Sequence, residues 1–221
     1  MFRWIFRTPR FRCYEDSFAR DRNGLLAGLR QAIENRQTTD QVLIVVAHFA
    51  DEFTAVQQAF ESWGTAYDIV TRTIDGAWLD ALDPVDQGHR LFLCLSAMMS
   101  PEHLDGLSLN DSIHFGVLVV ERHPLPARDR QVEEFCRALP GAVELGYFLS
   151  FDQSVLRRTV DDAFIKILKM FGMGENELIT SNMVSRRIKM VLQHNARKYG
   201  TDHPADSADE WFERNNPSRT G

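Results

Sequence analysis

The feature that most restricts this chain is an alternation between two hydrophobic periods. Val42 to Val46 (VLIVV) is an unbroken apolar run, the pattern of a strand buried on both faces. From Asp51 the period changes, and Phe53, Val56, Phe60 and Trp63 recur every three or four residues, as on one face of a helix. Strand character returns at Thr65 to Thr71, at Arg90 to Ser96 (RLFLCLS) and at His114 to Glu121 (HFGVLVVE). A helical pattern at Leu25 to Ile33 precedes the first run, and Gly146 to Phe151 (GYFLSF) supplies a fifth strand. Strands that alternate with helices imply an α/β domain, a mostly parallel sheet with helices on both faces.

After residue 151 the alternation stops. Leu156, Val160, Phe164, Ile167 and Phe171 line one face of a long helix. A second helix is expected over residues 182–198, with Thr180 or Ser181 as its cap. The chain therefore divides into a basic, aromatic arm (1–16), an α/β domain (17–153), a helical extension (154–199) and a polar tail (200–221). That tail is rich in Asp, Asn, Pro and Ser, and the expectation is that it is flexible, with Trp211-Phe212 as a candidate docking motif for a partner.

Composition narrows the function classes. The 221 residues are 44% hydrophobic and carry a formal charge of -6, enough for one sizeable core and the wrong sign for a dedicated nucleic-acid binder. The three cysteines, Cys13, Cys94 and Cys136, are scattered and form no Cys-x-x-Cys pair, so a reduced compartment is expected. No apolar run reaches the roughly 20 residues needed to cross a bilayer. The opening MFRWIFRTPRFR is broken by arginines and is no secretory signal. The expected location is the cytoplasm.

The motifs are mostly absences. There is no Gly-x-x-x-x-Gly-Lys-Ser/Thr phosphate loop and no Gly-Lys pair. Asp51-Glu52 imitates a magnesium-holding acidic pair, but it reads as two carboxylates placed at the positive end of the helix they begin. The seven histidines show no metal-ligand spacing, and no metal is expected. No Gly-x-Ser-x-Gly elbow and no partnered cysteine occurs, so covalent catalysis has no candidate. The densest polar cluster, Glu121-Arg122-His123, falls at the carboxyl end of a buried strand, where open α/β sheets place their ligands.

From that triplet onward the chain resembles the second motor domain of the SecA preprotein translocase ATPase. The register holds from Glu121, Arg122 and His123 through Asp129, Gln131, Tyr147-Phe148-Leu149-Ser150-Phe151-Asp152 and Leu156. It resumes at Gly172-Met173 and continues through Glu175, Glu177, Ile179, Met183-Val184-Ser185-Arg186 and Ile188. The resemblance implies a RecA-like lobe of a P-loop NTPase-type motor, followed by the start of a helical scaffold. It also shows where chemistry is missing. In the family a glutamine is followed four and seven residues later by arginines that stabilise charge on the transferred phosphoryl group. Gln131 is present, but those positions hold Phe135 and Ala138. An arginine finger supplies roughly 10³ to 10⁵ in rate, which neither side chain can replace. The family's Gly-Arg-Gly-Thr-Asp loop is replaced by Ala97-Met98-Met99-Ser100-Pro101-Glu102-His103.

These departures imply a non-catalytic protein-interaction module that binds no ATP and requires no cofactor. The alternative is a detached half-motor that completes the ATP site of a separate phosphate-loop protein in preprotein translocation. The partner is expected to be another protein, met through a methionine-rich strand-end surface at His48, Phe49, Met98 and Met99, or through the surface that faced the missing lobe. The arm, with Arg3, Trp4, Phe6 and Arg7, has the composition for a weak contact with an anionic membrane surface or for packing over the domain. Arg186, Arg187, Lys189, Arg197 and Lys198 form a basic side of the last helix.

Overall fold

The computed structural model describes residues 10–36, 41–82, 90–104, 113–159, 178–199 and 201–216. The expected α/β class is the one found. Five parallel strands make the central sheet: β3 (Gln41–Ala47), β4 (Asp68–Ile69), β5 (Arg90–Leu95), β6 (His114–Val119) and β7 (Ala142–Ser150). They lie in the order β4-β5-β3-β6-β7. Two short strands, β1 (Phe11–Cys13) and β2 (Ser17–Ala19), run parallel to β7 along its outer edge. An antiparallel pair with β8 (Ile179–Thr180) ends the sheet.

The period-2 alternation of the buried strands builds two cores. In β3, Ile44 and Val46 join the core that holds α4 (Pro126–Ala138), while Leu43, Val45 and Ala47 join the opposite one. That opposite core is closed by Leu25, Leu29 and Ile33 of α1 (Arg22–Arg36) and by Val56 and Phe60 of α2 (Ala50–Trp63). The first core also takes Trp78 and Leu79 of α3 (Gly76–Asp80). Helices therefore cover both faces, as unbroken apolar runs in β3, β5 and β6 demand. At the start of β7, Gly141 has φ +90° and its missing Cβ would lie 2.1 Å from the Ile113 carbonyl oxygen. Only glycine allows the chain to pass this close to β6.

Three expectations need correction. The described end of the arm is not separate from the domain: Phe11 to Cys13 pairs with Val143 to Leu145, because the nine-residue β7 offers an edge longer than β2 covers. Arg3, Trp4, Phe6 and Arg7 lie outside the described residues. The strand expected over 65–71 shortens to Asp68–Ile69. The tail is folded. Its α7 (Ala208–Arg214) starts at Ser207, whose side chain accepts the Glu210 N–H, and it buries Trp211 and Phe212. Two adjacent aromatic side chains supply enough apolar surface to dock a segment that is otherwise polar.

Two helices are described in the region of the expected extension. In α5 (Ser154–Thr159), Val155 and Leu156 are buried, and the rest of the long helix expected through Phe171 lies outside the described residues. Ser181 Oγ accepts the Val184 N–H at 3.4 Å and opens α6 (Asn182–Ala196). Val184, Ile188 and Leu192 turn inward from it.

Candidate functional site

The connection leaving β3 runs toward β4 and β5, whereas the one leaving β6 runs the other way to β7. Where neighbouring strands diverge in this manner, a crevice opens at their carboxyl ends. The strand-end candidates lie at these ends, His48 and Phe49 after β3, Met98 and Met99 after β5, and Glu121 to His123 after β6, whereas Arg186, Arg187 and Lys189 lie on α6.

Glu121 fills the centre of the crevice. It is buried, and its Oε1 accepts the backbone N–H groups of His48 at 2.7 Å and Phe49 at 2.9 Å. Burial, with Glu52 nearby, pushes the Glu121 carboxyl well above the usual range. Asp51 and Glu52 do open a helix, but Glu52 is held by Arg22, and the Asp51 N–H is given to the Asp206 carbonyl at 3.0 Å.

Arg122 and Asp129 form a buried ion-pair network beneath this point. Arg122 Nη1 donates to Asp129 Oδ2 at 3.0 Å and Nη2 to Asp16 Oδ1 at 2.5 Å, with its guanidinium 3.4 Å from the centre of the Tyr147 ring. Burial works against that charge, yet Asp129 and Asp16 hold the guanidinium above its ordinary range. Burial likewise opposes the Asp129 carboxylate, but Arg122 and a hydrogen bond from His48 bring it down to about 2. Asp129 Oδ1 receives the His123 N–H at 3.1 Å and faces His48 Nε2 at 3.0 Å.

His48 bridges this network to the surface. Its side chain is fully buried, and its Nδ1 lies 2.8 Å from Ser96 Oγ. His123 stacks on Phe49 at 5.1 Å and accepts the Leu125 N–H on Nδ1 at 3.0 Å. Burial, with His48 adding to it, lowers His123 to about 3, so its imidazole is neutral at physiological pH. Gln131 donates to the Met99 carbonyl at 3.2 Å and accepts from Arg128 at 3.3 Å.

The strand-end residues do not form the exposed methionine-rich patch expected from the sequence. Met99 and Phe49 are buried and Met98 is half-buried, because the turn after β5 folds these side chains into the apolar core. The positions where the motor family carries arginine are equally closed. Phe135 is wholly inside the core and Ala138 packs against it, while Arg137 turns away onto the Phe11 ring at 4.1 Å.

A cleft of about 270 Å³ remains open above the network. His48, Ser96, His123, Arg128 and Gln131 line one side, and the folded tail supplies the other through Asp202, Pro204 and Trp211. Trp211 packs edge-on against His123 at 5.5 Å and donates its Nε1–H to Asp202 at 2.8 Å. Arg128 pairs with the same carboxylate at 2.6 Å. Sequence reading did not single out Ser96, and it marked Trp211 and Phe212 only as a docking motif in a flexible tail. The only local signal at Ser96 is a hydroxyl closing an apolar strand, and nothing local to Asp202 or Trp211 says where they dock. Among the described residues, no group of three or more His, Cys, Asp or Glu is arranged to hold a metal ion, and no helix is long and apolar enough to cross a membrane.

No protein-family model and no curated protein matches the sequence. Among solved structures, the C-terminal part of the Fun30 ATPase domain is similar over 78% of this chain, at 11% identity and a TM-score of 0.41. This chain spans about half of that one, 54% of its length. Domain 2 of the Mss116p DEAD-box helicase, bound to an RNA duplex, is similar over 83% of this chain and 69% of its own, at 10% identity and a TM-score of 0.38.

Proposed function

We propose that the chain is a protein-interaction module on a RecA-like, SecA-type motor lobe, without ATP hydrolysis of its own. The observation that carries this reading is the outward face of α6. Met183 and Met190 are 67% and 64% exposed, one turn to either side of the exposed Arg186 and Arg187, while Val184 and Ile188 of the same helix are buried. Adaptable apolar side chains among cations suit a partner protein whose surface is apolar and acidic. The basic side of the last helix is thus the favoured contact, in place of the strand-end residues. One observation supports the absence of ATP chemistry: Phe135 fills core where the resembled motor would present a cation.

The test is recovery of partners from the source cell at moderate salt, comparing wild type with a Met183→Glu/Met190→Glu variant. Both positions face solvent, so the variant is expected to fold normally and lose a specific protein that wild type retains. Recovery of no specific protein, or of the same set by both, removes the reading. Calorimetry with ATP and magnesium separates the half-motor alternative. No heat is expected here, and residual nucleotide affinity would favour that alternative.

A further inference from the structure

We propose that Ser96, His48 and Asp129 form a nucleophilic centre that acts on a small carboxylic ester held in the cleft between the sheet edge and the folded tail. This is independent of the interaction reading, which rests on the exposed face of α6. The three residues come from three segments 48 and 81 positions apart in sequence, yet they meet in one line of hydrogen bonds, Ser96 Oγ to His48 Nδ1 at 2.8 Å and His48 Nε2 to Asp129 Oδ1 at 3.0 Å.

The order of the bonds sets the proton positions. Asp129 is an ionised acceptor, fixed by Arg122 and by the His123 N–H. It therefore requires the proton of His48 on Nε2. Nδ1 is left with a lone pair, and the Ser96 hydroxyl donates to it. With the two ring nitrogens exchanged, this is the arrangement in which an imidazole takes a serine proton and a carboxylate orients the ring without itself being protonated. A purely structural network has no need of an opening at its hydroxyl end. Here Ser96 is half-buried and lines the cleft, whereas the His48 and Asp129 side chains are sealed from solvent.

The same cleft holds donors for a developing oxyanion. The Nδ1 of His123 accepts the Leu125 N–H, so its ring proton is on Nε2, which has no acceptor among the described residues. The Gln131 carboxamide has a second N–H besides the one given to Met99. A volume of about 270 Å³, walled by Leu95, Ala97, Pro204 and Trp211, admits an acyl group of a few carbons.

In the first step the Ser96 O–H bond breaks, its proton passes to His48 Nδ1, and Oγ bonds to the acyl carbon. The carbonyl electron pair moves onto oxygen. As it returns, the bond to the alcohol breaks and His48 gives that oxygen the proton. Water then repeats the sequence on the acyl-serine, releasing the acid and restoring the serine hydroxyl. Asp129 is a positioning residue, since it reaches the reacting atoms only through His48.

The experiment treats the full chain with an alkyl fluorophosphonate probe, maps the adduct by mass spectrometry, and follows p-nitrophenyl acetate hydrolysis in parallel. One adduct on Ser96 is expected, with none in Ser96→Ala. Removing the base in His48→Gln should slow hydrolysis by about 10²- to 10⁴-fold, the usual contribution of a general base. Nitrogen-15 shifts of the His48 ring in wild type should report the Nε2–H tautomer that Asp129 imposes. No adduct, an adduct at another residue, an Nδ1–H tautomer, or hydrolysis unchanged in Ser96→Ala would each overturn the proposal. The adduct position and the tautomer are read on wild type, so they decide even where a variant fails to fold.

Discussion

Truncating Trp211 to alanine tests whether the tail is a folded part of the domain. The side chain is 1% exposed and packs on His123, Tyr199 and Phe212, with ring centroids 5.1 to 5.6 Å apart. Removing a buried tryptophan costs about 3–5 kcal/mol in lost burial and cavity formation. The lost hydrogen bond to Asp202 adds about 1 kcal/mol or less, since that carboxylate is partly exposed and water replaces the indole. The docked segment is otherwise held by Phe212, by the Asp206 to Asp51 backbone bond, by Ser154 donating to Asp209, and by partly exposed pairs of Arg128 with Asp202 and Arg158 with Asp209. Such pairs are worth about 0–1 kcal/mol each, too little to compensate. The segment should therefore detach while the sheet stays folded, and the stability loss should stop at the docking energy. Urea unfolding followed by circular dichroism should show a new transition at low denaturant, and trypsin should cut after Arg197, Lys198 and Arg214 much faster than in wild type. A variant within about 1 kcal/mol of wild type with an unchanged cleavage pattern would refute this reasoning. Wild type cut at these sites as fast as an unstructured peptide would restore the flexible tail.

Acid should weaken the fold through His123 before it reaches Asp129. The folded pKa of His123, about 3, is below its unfolded value of 6.5, so its contribution is complete above about pH 6.5 and is lost as pH falls toward 3. At 1.36 kcal/mol per pKa unit, the His123 contribution lost between pH 7 and pH 5 is about 2 kcal/mol, read as the difference between wild type and His123→Gln in urea titrations, because the raised Glu121 carboxyl works in the opposite direction over the same range. Asp129, whose folded pKa is about 2, loses its contribution only below about pH 4, so the two effects are separable. Glu121 gives a second contrast. Glu121→Gln keeps an acceptor for the His48 and Phe49 N–H groups, whereas Glu121→Ala leaves both unpaired at about 1–3 kcal/mol each. Equal losses in the two variants would show that those hydrogen bonds carry no weight.

The strands of the central sheet were legible because burial on both faces leaves an unbroken apolar run, as in Val42 to Val46, which becomes β3 with little change of boundary. Phe53, Val56, Phe60 and Trp63 marked α2 for the same local reason. The edge strands were not legible. Phe11 to Cys13 has no pattern that distinguishes a three-residue strand from an arm, and only the free edge of β7 makes it one. The exposed methionine patch failed by a similar route, since nothing local to Met98 and Met99 shows that the turn after β5 folds inward.

The sequence by itself determined the alternation of strands and helices that layers the sheet. That follows from residue type and from spacing over one or two turns of chain. The tertiary structure decided what fills the crevice. Glu121 reaches the N–H groups of His48 and Phe49 across 73 and 72 positions, Arg122 reaches Asp16 across 106, and Ser96 meets His48 across 48. The tail closes over them because Trp211 is more stable against His123 than in water. Such contacts depend on strand order and on the direction in which each side chain leaves its strand, and neither is encoded in any short stretch of residues.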